Sequence, residues 1–242
     1  MSADIGLKAI KRIGMNFINL PIKPKKPMKR FFSLCSLLLA FATNAEAQQN
    51  PDAIKVAAVG NSITEGPGRD HPDSYPMMMQ EKLGAAYHVK NFGLGGRTLL
   101  KKGNAPYWDE PEFKEVQTYA PDILVLKMGT NDSKPQNWKH KRDFEENYIE
   151  MINTFKATMP EDGEVYICIP VPVFKANWGI NEYMIRNEML PMIHRVAEKT
   201  GAKIIDLHRP LKGRKELFPD GVHPTKEGHR IMAEVVAGEI KR

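Results

Sequence analysis

The sequence predicts a single α/β domain built on a five-stranded parallel sheet, with helices packed on both faces. Three observations support this: short and nearly continuous apolar runs, segments of helical periodicity between them, and no linker or internal repeat from residue 52 onward. A chain of 242 residues is long enough for one ordinary domain. Its 42% hydrophobic residues exclude a disordered chain, and its 26% charged residues exclude a multi-span membrane protein.

The first 47 residues are interpreted as a leader that precedes the domain at 52–242. Residues 28–47 are typical of a secretory signal peptide, with a basic start at Met28, an apolar run too short to span a bilayer, and Ala45-Glu46-Ala47 before a cleavage point. We therefore predict export to the periplasm or the medium after cleavage near Ala47, with no stable membrane anchor. Residues 1–27 are interpreted as a possible upstream extension. A buried N-terminal helix is the alternative for the apolar run.

The positive charge of the chain belongs to this leader. The chain carries 35 basic and 29 acidic residues, a net charge of +6, and residues 1–47 hold eight of the basic and two of the acidic ones. Residues 48–242 therefore have no net charge, so we expect no nucleic-acid partner. Cleavage also removes Cys35, which leaves Cys168 as a lone thiol without a disulfide or a cysteine-rich zinc site.

Five apolar runs are predicted to be buried strands, and they lie at residues 54–59, 89–92, 123–128, 165–169 and 203–207. Helical spacing appears between and after them. Apolar residues recur at three- and four-residue steps from Phe144 to Phe155, again from Met189 to Ala197, and in a last helix that Thr225 is predicted to cap.

Polar side chains and glycines follow four of the five runs. Ser62 follows the first run at a strand-to-helix turn, residues 93–96 follow the second, Asn131 follows the third, and Asp220 and His223 come after the fifth. Because the carboxyl ends of parallel strands meet at one edge of a sheet, these residues are predicted to share one site.

The residue types in these loops suit ester hydrolysis, which needs a nucleophile, a base, a group that orients the base, and donors for an oxyanion. His223 can accept a proton from Ser62, while Asp220, three residues before it, fixes the tautomer of the imidazole. The side-chain amide of Asn131 and the backbone N–H groups of Gly96 and Ser62 can bind the oxyanion. At Gly96, we expect a larger side chain to obstruct that N–H.

Four blocks of the chain resemble the motifs of the SGNH (GDSL-type) hydrolase family, in the family's order. They are Gly60-Asn61-Ser62-Ile63-Thr64, residues 93–98, Gly129-Thr130-Asn131-Asp132 and Asp220-Gly221-Val222-His223. The resemblance implies a flavodoxin-like three-layer α/β/α fold, no metal or organic cofactor, a Ser62–His223–Asp220 triad, and Gly96 and Asn131 as oxyanion donors. Asn61 stands where the signature has Asp. We expect its amide oxygen to preserve the turn, while the loss of the charge leaves the pH profile open.

Each motif alone has an ordinary structural interpretation. Ser62 could cap a helix, Asn131 could form a turn, and Asp220 with His223 could be a surface pair. A flavin-binding domain and a non-catalytic glycan-binding module are the non-hydrolase alternatives. The first leaves Asp220 and His223 without a role, and the second would normally have lost a triad member. No histidine spacing is typical of a metal site.

The substrate is predicted from two segments that combine tryptophan with polar residues. Trp138 and Trp178, with Asn177 beside the latter, are candidates for holding a sugar ring, and packing is the alternative for both tryptophans. Arg97 could steer an acidic sugar or be a solvated loop residue. The motifs resemble the sugar O-acetylesterase branch of the family, which implies removal of acetyl groups from a glycan such as sialic acid or a plant polysaccharide. A periplasmic thioesterase or lysophospholipase is the alternative.

Overall fold

A five-stranded parallel sheet lies at the centre of the computed structural model, which describes residues 50–241. The strands are β1 (Ile54–Gly60), β2 (Tyr87–Gly93), β3 (Ile123–Lys127), β4 (Glu164–Ile169) and β5 (Lys203–Asp206). All five predicted strands are confirmed, with ends that differ from the apolar runs by at most two residues. The predicted extension, signal peptide and cleavage point after Ala47 lie outside the described residues and stay predictions.

Eight α-helices connect and follow the strands in the described part of the chain. They are α1 (Ser62–Glu65), α2 (Tyr75–Leu83), α3 (Pro111–Tyr119), α4 (Pro135–Trp138), α5 (Phe144–Lys156), α6 (Glu182–Met184), α7 (Leu190–Thr200) and α8 (Lys226–Ile240). A π-helical turn, Ile185–Met189, joins α6 to α7. Met189, which the apolar spacing places in the helix that reaches Ala197, therefore lies just before α7. Thr225 caps α8 as predicted, because its side chain accepts a hydrogen bond from the N–H of Gly228.

Both faces of the sheet are covered, which explains why the strands are apolar without alternation. On β1, Ala57 and Val59 belong to the core beneath α3, α5 and α7, whereas Val56 and Ala58 face the core beneath α2 and α8. The same division holds on β3. The predicted three-layer α/β/α fold is therefore confirmed. No described helix is both long enough and apolar enough to cross a bilayer.

The order of the strands places the candidate loops together. It is β2-β1-β3-β4-β5 with every neighbouring pair parallel, so the chain reverses its direction of winding between β1 and β3. Sheets of this order bind ligands in the crevice beyond the carboxyl ends of those two strands. Ser62 directly follows β1, and Asn131 follows β3 by four residues.

Candidate active site

Ser62 is presented by a tight turn from β1 into α1. Asn61 is the N-cap of α1, and its side-chain oxygen accepts a hydrogen bond from the N–H of Ile63 at 3.3 Å. The cap is therefore Asn61, which leaves the Ser62 hydroxyl outside the capping interaction. The turn also requires glycine at position 60, because a Cβ there would lie 2.0 Å from Oγ1 of Thr64.

His223 and Asp220 lie on one loop before α8, and the loop holds both side chains in place. One carboxylate oxygen of Asp220 accepts hydrogen bonds from the N–H groups of Val222 (2.8 Å) and His223 (2.7 Å), and the other lies 2.8 Å from Nδ1 of His223. Burial raises the pKa of Asp220, but the hydrogen bonds from His223 and Val222 outweigh it and hold the pKa below its usual value. The ionised carboxylate can only accept, so Nδ1 carries the imidazole proton.

The imidazole of His223 connects this loop to the turn after β1. Its Nε2 lies 2.8 Å from Oγ of Ser62, across 161 residues of sequence. With Nδ1 protonated toward Asp220, Nε2 is the acceptor for the Ser62 hydroxyl proton. The arrangement can therefore draw a proton from Ser62 and hold the resulting imidazolium against a carboxylate.

The glycine-rich loop after β2 lies against the Ser62 turn. A Cβ on Gly95 would be 3.7 Å from Cβ of Ser62, and a Cβ on Gly93 would be 2.2 Å from the backbone nitrogen of Glu65. Gly96 has φ +79°, and a Cβ placed on it would meet nothing within 4 Å. A side chain at Gly96 would therefore not clash with the described protein, and the expectation that it would obstruct the N–H for a ligand stays a prediction. Glycine is required there by the left-handed backbone.

Asn131 is buried where the loop after β3 meets the loop after β2. Its amide nitrogen donates to the carbonyl oxygen of Arg97 at 3.1 Å, which occupies one of its two N–H groups and leaves the second for a ligand. The next residue, Asp132, accepts from the N–H groups of Leu99 and Leu100 at 3.1 and 2.8 Å. Burial raises the pKa of Asp132 to about 6. These bonds hold the two loops in a fixed relation.

A buried polar cluster under the Ser62 turn was not anticipated from the sequence. Lys127, at the end of β3, is fully buried, and its Nζ lies 3.4 Å from Oδ1 of Asn61 and 3.4 Å from Oγ1 of Thr130. Burial lowers the pKa of Lys127 to about 7. Nδ2 of Asn61 is buried with no hydrogen-bond partner among the described residues. The sequence holds one sign of this cluster, because Lys127 is the charged residue in an otherwise apolar run at 123–128. The apolar run predicts a strand and gives no role to the lysine.

His229 on α8 lies between this polar cluster and the cleft beside Ser62. Its Nδ1 accepts from the N–H of Tyr75 at 3.3 Å. Burial, with the charges of Lys127 and His223, lowers the pKa of His229 to about 4, so the ring is neutral at pH 7. An open cleft of about 360 Å³ reaches it, lined by Ser62, Gly66, Pro67, Asp73, His223, Pro224, Lys226 and His229. An ion pair of 2.8 Å between Asp73 and Lys226 forms part of this wall.

The two predicted tryptophans occupy different environments. Trp138 is 4% exposed, packs edge-on against Phe144 and donates from Nε1 to Glu188 at 2.9 Å. Packing therefore explains Trp138, and the expectation of a sugar contact is corrected for it. Trp178 is 56% exposed, and its ring centroid lies 5.3 Å from that of His223.

The remaining predicted substrate residues hold loops together. Asn177 donates from Nδ2 to the carbonyl oxygen of Asp220 at 3.2 Å and is bound to the loop that carries His223. Arg97 is paired with Glu110 at 2.7 Å and donates to the carbonyl oxygen of Gly95 at 2.7 Å. These bonds use only part of the donors of each side chain, so they explain how the two residues hold loops and leave a ligand contact untested. Within residues 50–241, no group of three or more His, Cys, Asp or Glu side chains could hold a metal ion.

Comparisons with known proteins identify the family of the chain. The model of the GDSL-like lipase/acylhydrolase family matches residues 58–231, a span that holds Ser62, Gly96, Asn131, Asp220 and His223. An acetylxylan esterase from Xylanibacter ruminicola is 39% identical over an alignment of 209 residues that covers 78% of this chain and 44% of that protein. The chain thus spans less than half the length of this relative.

Solved structures share the fold. A carbohydrate acetylesterase from Sinorhizobium meliloti, Est24, superposes with a TM-score of 0.61 at 15% identity and covers 77% of this chain and 98% of its own. The acetyl xylan esterase AlAXEase superposes with a TM-score of 0.61 at 24% identity and covers 77% of this chain and 100% of its own. At these identities the likeness concerns the fold alone.

Proposed function

The chain belongs to the GDSL-like lipase/acylhydrolase family, and from this premise we propose that it is a serine esterase that removes acetyl groups from a carbohydrate, with acetylated xylan as the favoured substrate. The observation that carries the proposal is the continuous chain of contacts from Ser62 Oγ to His223 Nε2 (2.8 Å) and from His223 Nδ1 to Asp220 Oδ2 (2.8 Å). This is the relay that activates a serine nucleophile.

In the proposed mechanism, Ser62 Oγ attacks the ester carbonyl carbon while His223 Nε2 takes its proton. Collapse of the tetrahedral intermediate breaks the bond to the sugar oxygen, and His223 returns the proton to that leaving group. A water molecule then attacks the acetyl-enzyme in the same way and releases acetate. Asp220 stays ionised throughout, because its hydrogen bonds keep its pKa below its usual value.

Three donors are proposed to bind the oxyanion. The backbone N–H of Ser62 lies in the first turn of α1, where a helix leaves its N–H groups without an intrahelical acceptor. The free N–H of the Asn131 amide is held in position by the bond to Arg97, and Gly96 contributes a backbone N–H. In a known serine hydrolase, losing one such donor costs about 3–4 kcal/mol of transition-state stabilisation.

The acetyl preference is supported by the size and lining of the cleft. At about 360 Å³ it is near the lower limit for ligand sites, and its walls are formed largely by charged and imidazole side chains and prolines. A long acyl chain would bury little apolar surface there. The acetylxylan esterase from Xylanibacter ruminicola, at 39% identity, supports a plant polysaccharide over sialic acid as the source of the ester.

Export remains part of the proposal. Residues 28–47 carry the features of a signal peptide, and an acetylated polysaccharide would be met outside the cytoplasm. N-terminal sequencing of protein recovered from the periplasm or the medium tests it, with Gln48 as the expected first residue.

The activity is tested by comparing hydrolysis of p-nitrophenyl acetate, p-nitrophenyl octanoate and acetylated xylan. We expect activity on acetate, little on octanoate, and release of acetate from the polysaccharide. Ser62→Ala should lower kcat by several orders of magnitude. Ser74→Ala is the matched control, since it removes a buried hydroxyl that has no hydrogen-bond partner in the described structure and should retain activity. Preference for octanoate would favour the thioesterase or lysophospholipase alternative, and retained activity in Ser62→Ala would refute the assignment.

A further inference from the structure

Trp178 stands at the tip of a two-residue turn beside His223. Asn177 and Ile180 form an antiparallel bridge, with the N–H of Ile180 donating to the carbonyl oxygen of Asn177 at 2.9 Å, so Trp178 and Gly179 reverse the chain. Both have positive φ, +50° at Trp178 and +81° at Gly179. The left-handed region suits glycine or asparagine, and a bulky aromatic residue occupies it at a cost. Such a residue beside a reactive group motivates a functional hypothesis.

The turn is fixed to the loop that carries His223. The side chain of Asn177 donates to the carbonyl oxygen of Asp220 at 3.2 Å, and the N–H of Phe174 donates to the carbonyl oxygen of Gly221 at 2.8 Å. On its other side the turn rests on the start of α4, since a Cβ on Gly179 would lie 3.3 Å from Cδ of Pro135. The Trp178 ring therefore has a defined place relative to the imidazole.

Packing into the core does not account for Trp178, because 56% of it is exposed. Its partner is the imidazole, with ring centroids 5.3 Å apart and planes inclined at 60°. We propose that Trp178 is a positioning residue for His223, whose ring restrains the imidazole on the line between Asp220 and Ser62. The inference rests on the proposed esterase function and deepens it, because it assigns Trp178 a role in every turnover and not only in holding a sugar.

The imidazole needs such a restraint, because its side chain is 35% exposed. Asp220 faces Nδ1 from the same loop, Ser62 faces Nε2 from α1, and His229 lies close enough on α8 for the charge of His223 to lower its pKa. The Asp73–Lys226 ion pair lies across the cleft. Asp220 and Ser62 fix the two ring nitrogens only while both bonds are intact. During turnover the bond to Ser62 breaks, and the neighbouring Trp178 ring then limits rotation of the imidazole.

The test uses the full chain and a substrate without a sugar. Trp178→Asn removes the ring and keeps a residue that tolerates positive φ, so the turn is retained. On p-nitrophenyl acetate we expect its kcat to fall about tenfold with KM changed less than about twofold, because a misplaced base slows the chemical step and not binding. Trp178→Phe restores most of the kcat. Tyr183→Ala removes an equally exposed aromatic ring from the same segment and is the matched control, with wild-type kcat expected.

A second readout does not depend on ester hydrolysis. The emission of an indole depends on the groups in contact with its ring, and the imidazole of His223 is such a group for Trp178. We take the emission of Trp178 as the difference between a protein and its Trp178→Phe variant. This difference should change between the wild-type and the His223→Ala background, and an unchanged difference would contradict the contact.

The outcomes separate the inference from the proposed function. If wild type releases acetate in a Ser62-dependent manner but Trp178→Asn keeps its kcat on p-nitrophenyl acetate, the inference is overturned and the esterase assignment stands. A change confined to KM for acetylated xylan also overturns it, because Trp178 would then act only on the sugar. If wild type shows no esterase activity, the proposed function fails, while the fluorescence comparison with His223→Ala still decides whether Trp178 and His223 are in contact.

Discussion

Lys127 makes the stability of the fold depend on pH between pH 7 and 9. Its Nζ is fully buried, and its hydrogen-bond partners among the described residues are two neutral oxygen atoms, at 3.4 Å each. Burial lowers its pKa from 10.5 to about 7 in the folded protein. One pKa unit corresponds to 1.36 kcal/mol, so this pKa difference between the folded and unfolded states changes the free energy of unfolding by about 5 kcal/mol between pH 7 and 10.5.

The sign follows from which state binds the proton. Between pH 7 and 10.5 the unfolded chain keeps the Lys127 proton and the folded chain has lost it, so the free energy of unfolding rises with pH. From pH 7 to 9 the expected rise is about 2 kcal/mol. His229 and Asp132, with folded pKa values of about 4 and 6, titrate below this window. Burial raises the pKa of Cys168 from 9.0 to about 12, so the unfolded chain loses this proton first, and the effect opposes the rise weakly below pH 9 and more strongly above it.

The assay is urea unfolding followed by circular dichroism at pH 7, 8 and 9, with Lys127→Met as the perturbation. Met has a similar volume and no charge, so the variant should lose the pH-dependent rise and be at least as stable as wild type at pH 7. Lys212→Met, which replaces an exposed lysine, should keep the rise. A wild-type stability that is flat from pH 7 to 9, or a rise that persists in Lys127→Met, would refute the reasoning.

Three further predictions concern the neighbourhood of the site. Asn61→Asp should raise the free energy of unfolding at pH 7 by about 2 kcal/mol, because it places a carboxylate near Lys127 Nζ. It should also remove the increase of the free energy of unfolding between pH 7 and 9. The same urea titrations measure both effects. Gly96→Ala should cost about 1 kcal/mol of stability through its φ of +79° and lower kcat on p-nitrophenyl acetate more than it raises KM; an unchanged kcat would count against Gly96 as an oxyanion donor. Trp138→Phe should lose about 1–2 kcal/mol of stability through its bond to Glu188 and its packing, with unchanged kcat/KM on acetylated xylan; a fall in kcat/KM would restore Trp138 as a substrate contact.

The sheet was predictable from sequence because a parallel sheet buries both faces of its strands. The run from Ile54 to Gly60 is apolar at almost every position, and the structure places alternate residues in two separate cores. Ser62 and His223, although 161 residues apart, could also be expected at one place, because the strand ends gather there. Topology explains why both residues lie at the same edge of the sheet, whereas their contact depends on the path of the chain between Asp206 and His223.

The substrate residues were less predictable, because Trp138 and Trp178 have nearly the same local sequence. Each follows an asparagine, with a lysine nearby. Trp138 lies on α4 over Phe144, whereas Trp178 lies on a turn whose two positive φ values expose the ring. Packing between distant segments decides which tryptophan meets solvent, and that information is absent from a window of a few residues.

Asn61 shows how the local and the distant information combine. The local sequence explains why Asn61 still serves as the N-cap of α1, because its amide oxygen accepts the capping hydrogen bond as a carboxylate oxygen would. The local sequence does not explain Lys127. A carboxylate at position 61 would neutralise the Lys127 ammonium group, whereas in this chain Nζ lies beside the neutral oxygens of Asn61 and Thr130. With Asn at position 61, the buried amine is favoured in its uncharged form, and no net charge need be placed beneath Ser62. A carboxylate at position 61 would instead favour an ion pair with Lys127, which also has no net charge. Asn and Asp at position 61 are therefore two alternative ways of keeping the buried cluster beneath Ser62 without net charge. Asn61→Asp combined with Lys127→Met should then be worse in stability than either single change, because it leaves a buried carboxylate without a partner.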